Sequence, residues 1–217
     1  NLAKNLVKAV GNTRVISGRS SIQAIIKALS ETEMTAGKGN TPRMISDSAG
    51  FIVASEFSNS IIKDPLALTI LTDLYDRMYN AGEWKNRLKS GIEDLENPTI
   101  TMLGGVNEAQ FKDTVTLRDT LGGFIGRTFI IYAKKRHTLN SLYQKIENPP
   151  DIPKLSKHLI RISVLQGEVT YSDAVGKYYD EWYREYFSQE VDDETGSALR
   201  ILESMLKIAM LISLSED

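Results

Sequence analysis

"FIVASEFSNSII" (residues 51–62) is the stretch on which the reading of this chain turns. Phe51 to Ser55 are mostly apolar, the pattern of a buried strand. Glu56 stands at the strand's exit, and the small polar residues after it suit the opening of a helix. A carboxylate resists desolvation. Glu56 therefore either emerges into solvent or points into a crevice at the carboxyl end of a sheet, where ligands bind in open α/β folds.

Working outward, helical and extended patterns alternate. "NLAKNLVKAVGN" sets Leu2, Leu6, Val7 and Val10 on one helical face and stops at Gly11-Asn12. "TRVIS" is a short strand. "SSIQAIIKALSETE" carries Ile22, Ile25, Ile26 and Leu29 at helical spacing, with Ser20 and Gln23 in a capping-box pattern. "TAGKGNTPR" (35–43) reads as a glycine-rich charged loop. After the Phe51 strand, Asp64 and Pro65 mark the start of a helix, "DPLALTILTDLYDRMY". "EWKNRLKS" (83–90) is polar and extended, "NPTITMLGG" (97–105) is β-rich, and Asn107 opens another helix. "GGFIGRTFIIYAKKR" (122–136) reads as a glycine-flanked strand with a basic exit. This alternation predicts an α/β sheet.

Three of the six prolines fall in "NPPDIP" (148–153), the best candidate for a linker. Everything beyond it reads helical. Tyr178, Tyr179, Trp182, Tyr183, Tyr186 and Phe187 form an aromatic stripe suited to packing or to a contact between copies. "SALRILESMLKIAMLISLS" is apolar on most faces and is expected to be buried. The predicted organisation is an α/β core over 1–147, a linker over 148–153 and a helical subdomain over 154–217.

A net charge of −2 gives no global reason to expect nucleic acid, so a basic surface would have to be local. The chain has no Cys, which removes disulfide and thiolate chemistry and fits a reducing compartment. Its two His, at 137 and 158, are too few and too separated for a zinc site. No stretch reads as a signal peptide, and "MLKIAMLISL" (205–214) is too short to span a bilayer. A cytosolic protein is expected.

Three features carry candidate chemistry, each with a plainer alternative. Glu56, fixed on a rigid strand, would orient an attacking water; the alternative is a solvated side chain. Asn107, after the apolar strand "TITMLGG", would be a polar contact beside it; the alternative is a helix N-cap. Arg127, between a glycine turn and a strand, would neutralise transition-state charge; the alternative is a surface ion pair.

The ordered set "GRSSIQAIIKALSE", "FIVASEFSNSI", "GEWKNRLKSGIEDLENPTITMLGGVNE", "LGGFIGRTFIIYAKKR" and "YYDEWYREY…LRILESMLKIAMLISLS" resembles a family of phage and mobile-element proteins. These are domains of unknown function in primase- and helicase-associated ATPases with a RecA-like P-loop core. The resemblance implies that Glu56 is the water-activating base, Asn107 the sensor of the γ-phosphate or the attacking water, and Arg127 a finger acting on a neighbouring subunit's nucleotide. It also implies ATP and magnesium for the intact parent. Ser55 stands at the nucleotide-binding position where many relatives carry an acid, and its hydroxyl is a poorer magnesium ligand.

The sequence departs from the family in one large respect. No "GxxxxGK[ST]" occurs in it, and "AGKGN" (36–40) lacks the spacing. In the family the phosphate-binding loop precedes a helix resembling "NLAKNLVKAV", so the chain is expected to start just after that loop and to bind no nucleotide tightly by itself.

Lys85, Arg87 and Lys89 alternate along "EWKNRLKSG" beside Trp84, a pattern that suits single-stranded DNA. A lysine-protected edge strand is the alternative. The expected parent is an oligomeric, ring-forming, helicase-like motor in phage or mobile-element DNA replication. A non-catalytic nucleic-acid-binding or assembly module with a degenerate P-loop fold is the rival.

Overall fold

The computed structural model describes residues 2–11, 13–18, 20–31, 33–36, 42–45, 48–57, 66–76, 83–88, 91–115, 123–134, 149–165, 167–188, 193 and 197–216. In chain order these form α1 (Leu2–Val10), β1 (Arg14–Ser17), α2 (Ile22–Ser30), β2 (Glu33–Ala36), β3 (Pro42–Ile45), β4 (Ala49–Ala54), α3 (Ala67–Tyr75), β5 (Glu83–Leu88), β6 (Gly91–Glu96), β7 (Thr99–Gly104) and α4 (Glu108–Thr114). A one-turn 3-10 helix (Ile125–Arg127) follows, then α5 (Ile152–Ile162), α6 (Asp173–Ser188) and α7 (Ser197–Glu216).

The architecture is mixed α/β around a small parallel sheet in the order β1-β4-β7. Val15 lies opposite Phe51, and Ile52 lies opposite Met102, so the acid-bearing strand is the central one. Parallel neighbours need long crossovers. Here α2 and the antiparallel β2–β3 pair connect β1 to β4, while α3 and the antiparallel β5–β6 pair connect β4 to β7.

The core lies on one face of this sheet. Ile22, Ile25, Ile26 and Leu29 of α2 and Ala67, Leu68, Leu71 and Leu74 of α3 bury their apolar stripes against Ile52 and Ala54. Phe57, Phe124, Trp84 and Leu95 complete the cluster. Helix α1 packs along β1, and α5 packs against α1. The residues after the linker are therefore joined to the N-terminal region at α1.

The β5–β6 hairpin is tied to the sheet at the strand entrances. Ser48 N–H donates to the Glu96 carbonyl at 2.7 Å, Thr99 N–H to the Ser48 carbonyl at 3.2 Å, and Glu96 N–H to Ser48 Oγ at 3.0 Å. This is the end of β4 and β7 opposite the one that carries Glu56.

Several expectations change. The N-cap of α2 is Ser21, whose side chain accepts from Ala24 N–H at 3.2 Å, one residue later than the Ser20 pattern placed it. Part of the expected loop at 35–43 is the β2–β3 hairpin; its glycines lie outside the described residues, as do Asp64 and Pro65. Within the expected strand over 122–136, the described residues form the 3-10 turn followed by an irregular run with no ladder partner among the described residues. Its Ile131 is 95% exposed. β-propensity makes a chain extended, but a strand also needs a neighbour to accept its hydrogen bonds. Helix α7, expected to be buried, leaves Leu206, Leu211 and Ile212 open to solvent. Among the described residues no helix is long and apolar enough to cross a membrane.

Candidate active site

The carboxyl ends of β4 and β7 are stitched together beyond their ladder. Gly105 N–H donates to the Ala54 carbonyl and Phe57 N–H to the Gly105 carbonyl, each at 2.9 Å. The chain therefore leaves β4 through a tight turn at Ser55 and Glu56, then returns Phe57 to the core. Only Gly fits comfortably at 105, because a Cβ there would stand 3.1 Å from the Ser55 carbonyl oxygen.

This turn holds Ser55 and Glu56 against the loop that starts α4. Together with Gly105, Val106, Asn107 and Gln110 they line a cavity of about 280 Å³. Asn107 is the N-cap of α4, its Oδ1 accepting from Gln110 N–H at 2.8 Å. The helix-cap reading of Asn107 is the one its Oδ1 shows; its amide NH₂ group is not used in the cap. The structure brings three sequence-predicted residues, Ser55, Glu56 and Asn107, to one cavity.

Gln110 joins the cavity without having been singled out, although Asn107 and Gln110 have the spacing of a capping box. Glu108 was also missed. It accepts from Lys112 Nζ at 2.6 Å and from Tyr132 Oη at 2.5 Å. The Lys112 hydrogen bond, then that of Tyr132, holds its carboxyl below the ordinary value, and Glu108 in turn raises the Tyr132 phenol. That contact ties the exposed run after Arg127 to the first turn of α4.

Arg127 does not line the cavity. Its Nε donates to Asp76 Oδ1 at 2.6 Å, its Nη2 donates to Asp76 Oδ2, and its Nη1 donates to the Gly123 carbonyl at 2.7 Å. The ion-pair reading describes this side chain, and a finger role would require all three contacts to be released.

Trp84 corrects an expectation. It is 8% exposed, sits opposite Leu95 in the hairpin and donates from Nε1 to Asp73 Oδ2 at 2.6 Å. It packs in the core and offers no open face for a base. Successive residues of a strand point to opposite faces, so burying Trp84 turns Lys85 outward. Lys85 is exposed and lies 4.0 Å from Asp94 across the hairpin. Arg87 is paired in register with Ile92, and Lys89 lies outside the described residues. Residues 83–96 carry three basic and four acidic side chains, so the hairpin has no net positive charge to attract phosphates.

The cavity is a poor fit for magnesium. The described residues lining it offer one carboxylate, one hydroxyl, the Gln110 amide and an Asn107 amide oxygen that already accepts from Gln110 N–H, and no group of three His, Cys, Asp or Glu suited to a metal occurs among the described residues. The described residues that line it include no Lys or Arg to neutralise a triphosphate, and its volume of about 280 Å³ is under the roughly 300–1,000 Å³ typical of small-molecule sites.

No known protein family, curated protein or solved structure matches the chain. The reading of the site therefore rests on its geometry.

Proposed function

We propose that Glu56 and Asn107 are the water-orienting base and the polar sensor of a RecA-like P-loop ATPase core. Its parent would be an oligomeric, helicase-like motor of phage or mobile-element DNA replication that engages single-stranded DNA. One observation carries this reading: the two residues leave the carboxyl ends of adjacent parallel strands and line one cavity. A carboxylate so placed accepts a proton from water as the water oxygen bonds to the γ-phosphorus and the bridging P–O bond breaks.

The phosphate cradle is the part this arrangement lacks. Among the described residues β7 pairs only with β4, so its other edge has room for a strand that would carry such a loop. The apolar run Phe129–Ala133 is exposed and outside any ladder among the described residues, as a further strand beyond that position would be without its neighbour.

The test is ATP turnover by the full-length protein that contains this chain. Glu56→Gln should lower turnover roughly 10²–10⁴-fold and leave nucleotide binding intact. Unchanged turnover would remove Glu56 from the chemistry. The rival, a non-catalytic binding or assembly module, draws on the absence of Lys and Arg among the described residues lining the cavity. It expects no turnover from the wild-type full-length protein.

A further inference from the structure

Arg127 of the 3-10 turn makes a two-pronged pair with Asp76, the residue that caps the C-terminus of α3. Arg127 also holds the chain just before that turn, through the Gly123 carbonyl. Helix α7 joins this seam. A Cβ at Gly126 would lie 3.2 Å from Arg200 Cδ and 3.3 Å from Ser197 Oγ, so the first turn of α7 rests directly on the 3-10 turn. One residue before Asp76, Tyr75 receives Lys207 of α7, whose Nζ lies 4.9 Å from the ring centroid and 3.3 Å from Tyr75 Oη. Asp193 fixes the start of α7 by accepting from Ser197 N–H at 3.0 Å and Ala198 N–H at 2.7 Å.

The same turn reaches the candidate site. Phe124, three residues before Arg127, stacks on Phe57 with centroids 6.1 Å apart and planes 10° apart. Both rings are buried. Phe57 follows Glu56 directly, and its N–H is one of the two bonds that hold the β4 exit to Gly105. All three kinds of guanidinium nitrogen on Arg127 are committed, so the turn has one orientation to pass on.

We infer that Arg127 is a positioning residue: through Phe124 and Phe57 it sets where Glu56 stands, and it ties that placement to helix α7. The significance of Glu56 rests on the proposed function, but the coupling itself is a matter of geometry. A displacement of α7 would reach the cavity through packed rings and backbone bonds, with no contact between Arg127 and the cavity.

Amide hydrogen exchange on the full chain tests this, comparing wild type, Arg127→Met, Asp76→Asn and the swapped pair Asp76→Arg/Arg127→Asp. Arg127→Met should speed exchange about tenfold at Phe57 and Gly105 as well as at Ser197–Arg200, while Glu96 and Thr99 at the other end of the sheet keep their protection. Asp76→Asn should give the same pattern more weakly, and the swap should restore part of the protection at Phe57 and Gly105. Acceleration confined to 123–128 would reduce Arg127 to a local staple and overturn the inference. Uniform acceleration in both single variants would overturn it as well. These outcomes do not depend on turnover, so failure of the Glu56 assignment would be distinguishable from failure of the coupling.

Discussion

The α2–α3 face of the sheet and the helices after the linker are helical for similar local reasons, yet they end in opposite states. Helix α2 has a capped N-terminus and an apolar stripe, and all four stripe residues are buried. Helix α5 is capped by Asp151, which accepts from Lys154 N–H at 3.0 Å, and it too has an apolar stripe, but none of its residues is buried. Helix α6 satisfies its aromatics along its own surface, with Trp182 and Tyr186 stacked at 5.4 Å and Tyr183 and Phe187 at 4.8 Å. A cap and a pattern make a helix; a packed neighbour makes a core.

The sharpest way to break this comparison is to truncate one large side chain on each side of it. Trp84→Ala should cost about 3–5 kcal/mol in urea unfolding, because it opens a cavity and strips Asp73 of its indole donor. Leu211→Ala, at a position 59% exposed, should stay within about 0.5 kcal/mol. A cost at Leu211 comparable to that at Trp84 would mean that α7 is covered in solution.

A smaller effect concerns the seam between the two regions. The Arg127 hydrogen bond is the main cause holding the Asp76 carboxyl below its ordinary value of 3.8, with Arg127, Arg200 and Lys207 adding favourable charge. A lowered folded-state pKa gives stability that is present above the ordinary value and lost as pH falls through the lower one. Acidification below 3.8 should therefore loosen the seam, read as faster exchange at Ser197–Arg200. Asp76→Asn should remove that acid dependence. Equal acid sensitivity in wild type and variant would assign it to other carboxylates.

Much of the core was legible because it follows short-range periodicity. The Ile22–Leu29 stripe, the apolar run ending at Glu56 and the Asn107 helix start all appear where their patterns put them. What failed involved partners distant in sequence. Trp84 and Lys85 are neighbours on a strand and so face opposite ways; grouping them as one nucleic-acid surface ignored that alternation, and Leu95 and Asp73 decided which side was buried. The Phe129–Tyr132 run has strand-forming side chains, but nothing local tells whether a neighbouring strand exists. The ion pair offered as the alternative for Arg127 is present, but its partner Asp76, 51 residues away, cannot be named from local sequence. The cavity was half legible: Glu56 and Asn107 were named, but only the pairing of Ala54 with Gly104 makes them neighbours.

If Glu56 and Asn107 act as one site, Asn107 is more than a cap. The direct measurement is a double-mutant cycle in ATP turnover using Glu56→Gln and Asn107→Ser, in the full-length protein. Serine caps a helix about as well as asparagine but lacks the amide donor, so it separates the two roles. The predicted result is that Asn107→Ser slows turnover with α4 intact, and that the double variant is little slower than Glu56→Gln alone. Wild-type turnover in Asn107→Ser, or losses that multiply independently in the double variant, would contradict the claim.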